Sequence, residues 1–384
     1  MASDTNALVF AVFGGIFMGS FAVPIKSRAV TRVQAHPVVF QCYKSFWVFV
    51  AGWLFVLFNA LRRKDLLEFT WWGVASAAAW IPAGLFTIAA VPHIGVGMTM
   101  IIQSGTSSVL SFLAFWLVFG EAIVHHGPPG HHYYMAPVYL LCAIAGMVSV
   151  LTIAHAPMRS VLPKPVDAAQ LVLSSDNQRQ LMLSSSTTEP RHGLDSCDMV
   201  PGCPKSCSLV YACTCAVLAG VCSSLQFGVV TAGKHSAMQV VGCEHHPNAC
   251  PLELQERFDS LGSWTTSFGI GTALVTSCYV AAFGVTQMIV GRRMPPFHFQ
   301  VLRVPGSISG LCYVVGNVFQ TLAVMQGGQA IMTPVAMCVR LVTSSAWGLV
   351  YYHELRGTWR ILLWLFSALW TVGSMLLLSG EKAS

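Results

Sequence analysis

Ten stretches of about 20 mostly apolar residues, the length that crosses a hydrocarbon core as a helix, mark this chain. They lie near 7–25, 38–60, 71–91, 95–119, 134–154, 208–232, 263–290, 300–325, 327–351 and 359–379. The strands of a membrane barrel would show short alternating segments instead, and these runs are too long and continuous for that. The pattern predicts an all-α membrane protein with ten transmembrane helices. Residues 157–206 break the rhythm: they are rich in Ser, Pro and Asp, poor in aromatics and without a helical period. Such a segment reads as a flexible linker. It divides the chain into a five-helix unit over 1–156 and a second over 207–384, which carries a Cys-containing loop at 233–262.

Composition agrees. Of 384 residues, 54% are hydrophobic and 9% charged, against about 25% charged in a soluble domain, and the mean hydropathy is +0.63. Ten helices leave no room for a large soluble domain. The opening "MASDTNALVF" lacks a basic n-region, so no cleaved signal peptide is expected. The net charge of +6 is spread over loops, which argues against a nucleic-acid partner. The expected setting is multi-pass, in a plasma membrane or an endomembrane. With both termini in the cytosol, six loop Lys and Arg residues would lie inside and twelve outside. The positive-inside rule prefers the reverse, and the orientation stays open.

The two units echo each other. "SFLAFWLVFGEAI" closes the fourth stretch and "SSAWGLVYYHELR" the ninth. Aligning Glu121 with Glu354 sets Gly95 against Gly328 and Ser107 against Arg340; "GGIFMGS" and "AGVCSSL" align the first and sixth stretches more loosely. A repeated five-helix unit is the pattern of secondary transporters, whose sites form at the repeat interface near the midplane.

Arg340 stands in the middle of "TPVAMCVRLVTSSAW", with no Asp or Glu within a dozen residues. An arginine at the centre of a membrane helix costs about 2.5–3.5 kcal/mol on insertion scales, so such residues face the bundle interior and serve a function. Helical spacing puts Thr333, Ala336, Arg340, Thr343, Ser344 and Trp347 on one face. One reading has Arg340 bind a substrate carboxylate or phosphate, whose charge supplies the missing partner. The other has it bonded to helix carbonyls, such as those freed at Pro334. Proton-driven carriers commonly use an intramembrane acid or His; none lies at the midplane here, which favours exchange or facilitated diffusion, with His93 and His155 near helix ends as groups able to titrate.

Gln103, Gln226 and Asn317, with Gln320, are mid-depth amides suited to substrate hydroxyls or to interhelical contacts. Phe21, Trp80 and Trp347 are rings that could stack on a substrate or simply pack. Ser107 joins the candidates through its alignment with Arg340. Pro24, Pro82 and Pro334, with Gly14, Gly15, Gly19 and Gly84, interrupt helices near the expected site. Lys44, about two turns into the second stretch, is expected to snorkel to the interface.

Of 13 cysteines, eight fall in helices and behave as small apolar residues. Cys197, Cys203 and Cys207 match no zinc pattern. Cys243 and Cys250, in "GCEHHPNACP", are the disulfide candidates, given an oxidising compartment. "HHGPPGHH" (125–132) reads as an exposed loop, since a Pro-Pro turn separates its histidine pairs. "PLELQERFDSLGSW" (251–264) reads as a short amphipathic helix on the membrane surface. No HExxH, paired aspartates or Ser/His/Asp set appears, so no enzyme, metal or cofactor is expected.

Taken together, "GGIFMGSFAVPIKSR" (14–28), "AWIPAGLFTIAAVPHIGVGMTMIIQSG" (79–105) and the closing Glu121 and Glu354 resemble the drug/metabolite transporter superfamily. The nearest branch is that of the sugar (rhamnose, glucose/ribose) and ureide permeases. The resemblance covers most of the ten-helix core, and not the linker or the 233–262 loop. It implies an inverted-repeat carrier for a small polar metabolite, with a central site built from the first, third, fourth, sixth, eighth and ninth helices. With Arg340, it points to a sugar or sugar-derived anion moved by alternating access. An exporter of amino acids or other small metabolites, and a non-transporting scaffold or receptor, are the alternatives. Self-association as a homodimer is left open.

Overall fold

The computed structural model describes residues 2–33, 35–61, 69–120, 123–126, 133–155, 205–240, 261–352 and 358–381. The linker up to residue 204, the Cys243 and Cys250 loop, Glu121, Glu354, residues 127–132 of the histidine-rich loop and residues 251–260 of the amphipathic stretch lie outside these.

Helices account for nearly all of the described residues. α1 covers Ala2–Ser20 and runs through a 3-10 turn, Val23–Lys26, into a short α2, Arg28–Arg32. Pro24 sits in that turn, where a missing N–H costs nothing. Then come α3, Pro37–Leu61; α4, Trp71–Leu113, extended by a π-turn over Ala114–Val118; and α5, Ala136–His155. The second part holds α6, Lys205–Val240; α7, Leu261–Ile289; α8, Phe299–Gly327; α9, Gln329–Val350; and α10, Thr358–Ser379. Among the described residues, eight helices are long and apolar enough to cross a membrane.

The difference from ten stretches has two sources. The stretches at 71–91 and 95–119 run together as α4, which is continuous except at Gly95, and the described apolar part of α5, Ala136–Gly146, is short. Gly95 has φ 81° and ψ 166°, splitting α4 into limbs over 71–94 and 96–113. Between α8 and α9, Gly328 does the same with φ 80° and ψ 155°. That region of backbone space is essentially open to glycine alone.

Polar and apolar residues are placed as lipid demands. Leu54, Leu117, Met288, Ile289, Phe366 and Leu369 are exposed on the outer faces, while Gln103, Ser104, Ser107, Ser108, Gln226, Gln320, Thr333 and Arg340 are buried. A water-soluble fold would reverse that order. The chain is an integral multi-pass membrane protein.

Packing centres on α4 and α6, which lie along one another. Ser76 on the first limb donates to the Gln226 carbonyl at 2.8 Å, and Gln103 on the second limb donates to Ser223 at 2.8 Å. α1 lies between α8 and α9: Ser309 Oγ donates to the Phe21 carbonyl at 2.7 Å just past its end, and Trp347 Nε1 donates to Ser20 Oγ at 2.9 Å. α3 crosses α7, and α5 crosses α10, where Trp370 Nε1 donates to the Cys142 carbonyl at 3.1 Å.

Candidate functional site

Where α1, α3, the two limbs of α4, α6, α8 and α9 converge, their side chains close over a small central cavity. Phe21, Lys44, Trp80, Gln103, Gln226, Tyr313 and Arg340 line it. Its volume is about 20 Å³, room for about one water molecule. The side chains therefore leave no room for a metabolite in this conformation.

Arg340 enters from α9 and is only 4% exposed. Its Nη2 donates to Gln103 Oε1 at 3.0 Å and lies 3.3 Å from the Met100 sulfur, while Nη1 lies 3.8 Å from the Met337 sulfur. Nε has no hydrogen-bond partner. Thioether sulfurs are weak acceptors, so one carboxamide oxygen carries most of the solvation. The helix carbonyls freed at Pro334, the structural reading of this arginine, do not receive it. Gln103 is held in turn by Ser223, and the Thr87 hydroxyl sits 3.1 Å from its Oε1.

Lys44 corrects an expectation. It does not snorkel; it is 1% exposed and turned into the same cavity. Its ammonium lies 4.7 Å from the Phe21 ring centre, 5.3 Å from that of Tyr313 and 5.4 Å from that of Trp80. Three ring faces thus surround it, a cation–π arrangement. Gln41 Oε1 accepts a hydrogen bond from it at 3.3 Å. Depth counted from the end of α3 suggested an interfacial lysine, but the packing of α7 and α8 on α3 decides which face of the helix is inside.

The two cations share a ring. Arg340 lies over Phe21 at 5.2 Å from its centre, so the two charges are no more than about 10 Å apart. At an effective dielectric near 20 their repulsion is about 1.5 kcal/mol or more. Nothing in the helices offsets it, because none of the 15 Asp and Glu residues falls within a candidate span. Uncompensated buried charge is expensive, and here there are two.

Neutral groups complete the wall. Gln226 Nε2 donates to Tyr313 Oη at 2.7 Å and to Asn317 Oδ1 at 2.8 Å. Tyr313 stacks on Trp80, with centroids 4.5 Å apart. Of the residues singled out in the sequence, Arg340, Gln103, Gln226, Phe21 and Trp80 meet at the cavity, and Asn317 stands directly behind Gln226. Ser107 and Thr343 do not line it: the Ser107 hydroxyl is buried without a partner, and Thr343 packs against Gly19 where α9 meets α1. Gln320 is buried away from the cavity, and its carboxamide has no hydrogen-bond partner. Trp347 is 38% exposed.

Sequence reading missed Lys44, Tyr313, Thr87 and Ser223. A signal existed for Lys44, since it and Arg340 are the cations set deepest in the spans. The described residues contain no cluster of three or more metal-ligating side chains.

No family model matches the chain, and no curated protein does. A solved structure described as "Crystal structure of protein" is similar at 12% identity and a TM-score of 0.49, over 99% of both chains.

Proposed function

We propose that the protein is a secondary carrier of the drug/metabolite transporter type, moving a small sugar or sugar-derived anion by alternating access through the central cavity. The observation that carries this reading is the pair of buried cations, Lys44 and Arg340, with no carboxylate in any span to neutralise them. A structural ion site would bring its counter-charge; a binding site leaves that to its ligand. The amide and hydroxyl groups of Gln226, Asn317, Tyr313 and Ser223 suit the hydroxyls of a polyol.

The inverted five-plus-five repeat belongs to the same proposal. Gly95 and Gly328 share a backbone conformation, and the helix partners correspond: α1 on α8 and α9 answers α6 on the two limbs of α4, while α3 crosses α7 and α5 crosses α10. In such carriers the two units rock about a fixed midplane site, and a contracted site too small for ligand fits a state without substrate.

Reconstitution into liposomes tests the reading. Saturable uptake of one labelled anionic metabolite, lost in Arg340→Ala, is the expected result. A panel of sugars, sugar acids, sugar phosphates and amino acids of which none crosses the membrane or stabilises the purified protein would overturn it.

A further inference from the structure

The two cations also specify the charge of the ligand. We propose that the transported compound carries a phosphomonoester, gripped by Arg340 from α9 and Lys44 from α3, both of which lie against the Phe21 ring. The proposal rests on the carrier reading above.

Three observations lead to it. The first is charge: two buried cations within about 10 Å, facing one aromatic ring, leave two positive charges for a ligand to meet. A monocarboxylate brings one negative charge, whereas a phosphomonoester brings about −1.5 to −2 at pH 7, with three strong acceptor oxygens. The second is the donors. Arg340 Nε has no partner and Nη1 touches only the Met337 sulfur. The two lie on different edges of the guanidinium, Nη1 on the outer edge and Nε on the side, and each can donate to a ligand oxygen. Lys44 has three N–H groups and donates to one oxygen, that of Gln41. The third is how room is made. Two of the groups in contact with the guanidinium, Met100 and Met337, are flexible, unbranched side chains that readily repack, beside the Gln103 and Phe21 contacts. When they swing aside, phosphate oxygens replace two thioethers as acceptors, and the cavity opens toward Gln226 and Tyr313, which would meet the organic part.

Ligand-dependent thermal stability of the purified full chain decides the matter. The probes are glycerol 3-phosphate, inorganic phosphate, glucuronate, malonate and glucose, each with the wild type, Lys44→Gln, Lys44→Arg and Arg340→Gln. A ligand that binds the folded state raises its apparent stability by mass action. The expected result is stabilisation by glycerol 3-phosphate, with apparent affinity weakened at least about tenfold in Lys44→Gln and Arg340→Gln, as for a lost charge-assisted hydrogen bond. Lys44→Arg should stay closer to the wild type. Inorganic phosphate matching glycerol 3-phosphate would uphold the two-cation grip but identify free phosphate as ligand, overturning the monoester assignment. Equal stabilisation by malonate or glucuronate would overturn it too. Glucose acting alike on every variant would overturn the two-cation grip and leave the carrier intact. Silence from every probe, together with no uptake of any metabolite, would remove the carrier and the phosphate together. The wild-type panel alone separates phosphate, carboxylate and neutral ligands, and Lys44→Arg, which keeps the charge, tests the grip where a neutral variant fails to fold.

Discussion

Gly95 and Gly328 adopt one backbone conformation, φ 81° and ψ 166° against φ 80° and ψ 155°. Each opens the helix that carries one partner of the Gln103–Arg340 hydrogen bond. A side chain at such angles is strained by about 1–3 kcal/mol even where space is free. At Gly95 it is free, since a Cβ there would meet nothing within 4 Å. Gly95→Ala and Gly328→Ala should therefore each lower stability by about 1–3 kcal/mol. Gly97 has the same open surroundings without the positive φ, and Gly97→Ala should be neutral or raise stability by up to about 1 kcal/mol. Thermal unfolding of the three variants in one detergent checks the contrast. Equal behaviour at 95 and 97 would mean that the break in α4 is not fixed by its glycine.

The two buried cations predict a trade between stability and function. Lys44→Met removes a desolvated charge and its repulsion from Arg340 while keeping an apolar chain of similar length, so the empty protein should gain about 1–3 kcal/mol. Arg340→Met should do the same, less whatever the Gln103 bond contributes. The double variant should gain less than the sum, because either single change already abolishes the mutual repulsion. Melting curves for the four proteins measure the coupling, while uptake should be lost in all three variants. Additive stabilities would place the two charges beyond each other's influence.

Part of this site is legible in the sequence, and the division has a physical cause. Arg340 announces itself because burying a guanidinium in a span is costly wherever the helix points. Gln103, Gln226 and Asn317 are visible for the same reason, and the structure brings all three to the cavity or its wall. Lys44 is ambiguous because a flexible lysine two turns inside a helix can reach the interface or the interior. Only the packing of α7 and α8 against α3 decides. Tyr313 is hidden by its amphipathic nature: a phenol in an apolar helix serves as well at a lipid face as over an ammonium ion. The break at Gly95 shows in the sequence as a gap between two stretches, although the backbone needs one residue to make it.

On the carrier reading proposed above, the unloaded protein should return slowly. Rocking without ligand takes the closed cavity through its tightest state with both charges bare, and their repulsion alone adds about 1.5 kcal/mol or more to that barrier. Each 1.36 kcal/mol is a factor of ten in rate. Uptake of labelled glycerol 3-phosphate should then be at least about tenfold faster into liposomes preloaded with the unlabelled compound than into empty ones. In Lys44→Gln, any residual uptake should respond less to preloading. Equal rates into loaded and empty liposomes would show that the bare cavity isomerises freely.

His36, outside the candidate spans, gives the protein a pH dependence of its own. Its Nδ1 accepts from the Val38 N–H at 3.3 Å at the start of α3, and its ring lies 4.6 Å from that of Phe283 on α7. The accepting nitrogen must carry no proton, and half-burial against α7 holds the imidazole below its ordinary value of 6.5. The unfolded chain therefore binds the proton more readily than the folded one. Stability from this group is complete above pH 6.5 and is lost as pH falls from there through the folded value. In His36→Gln the titrating group is gone, and the fall in melting temperature between pH 7 and pH 5 should be shallower than in the wild type. Melting temperatures across that interval for both proteins check the sign. A wild type that grows more stable on acidification, with the trend removed by His36→Gln, would mean that the imidazolium is favoured in the folded state.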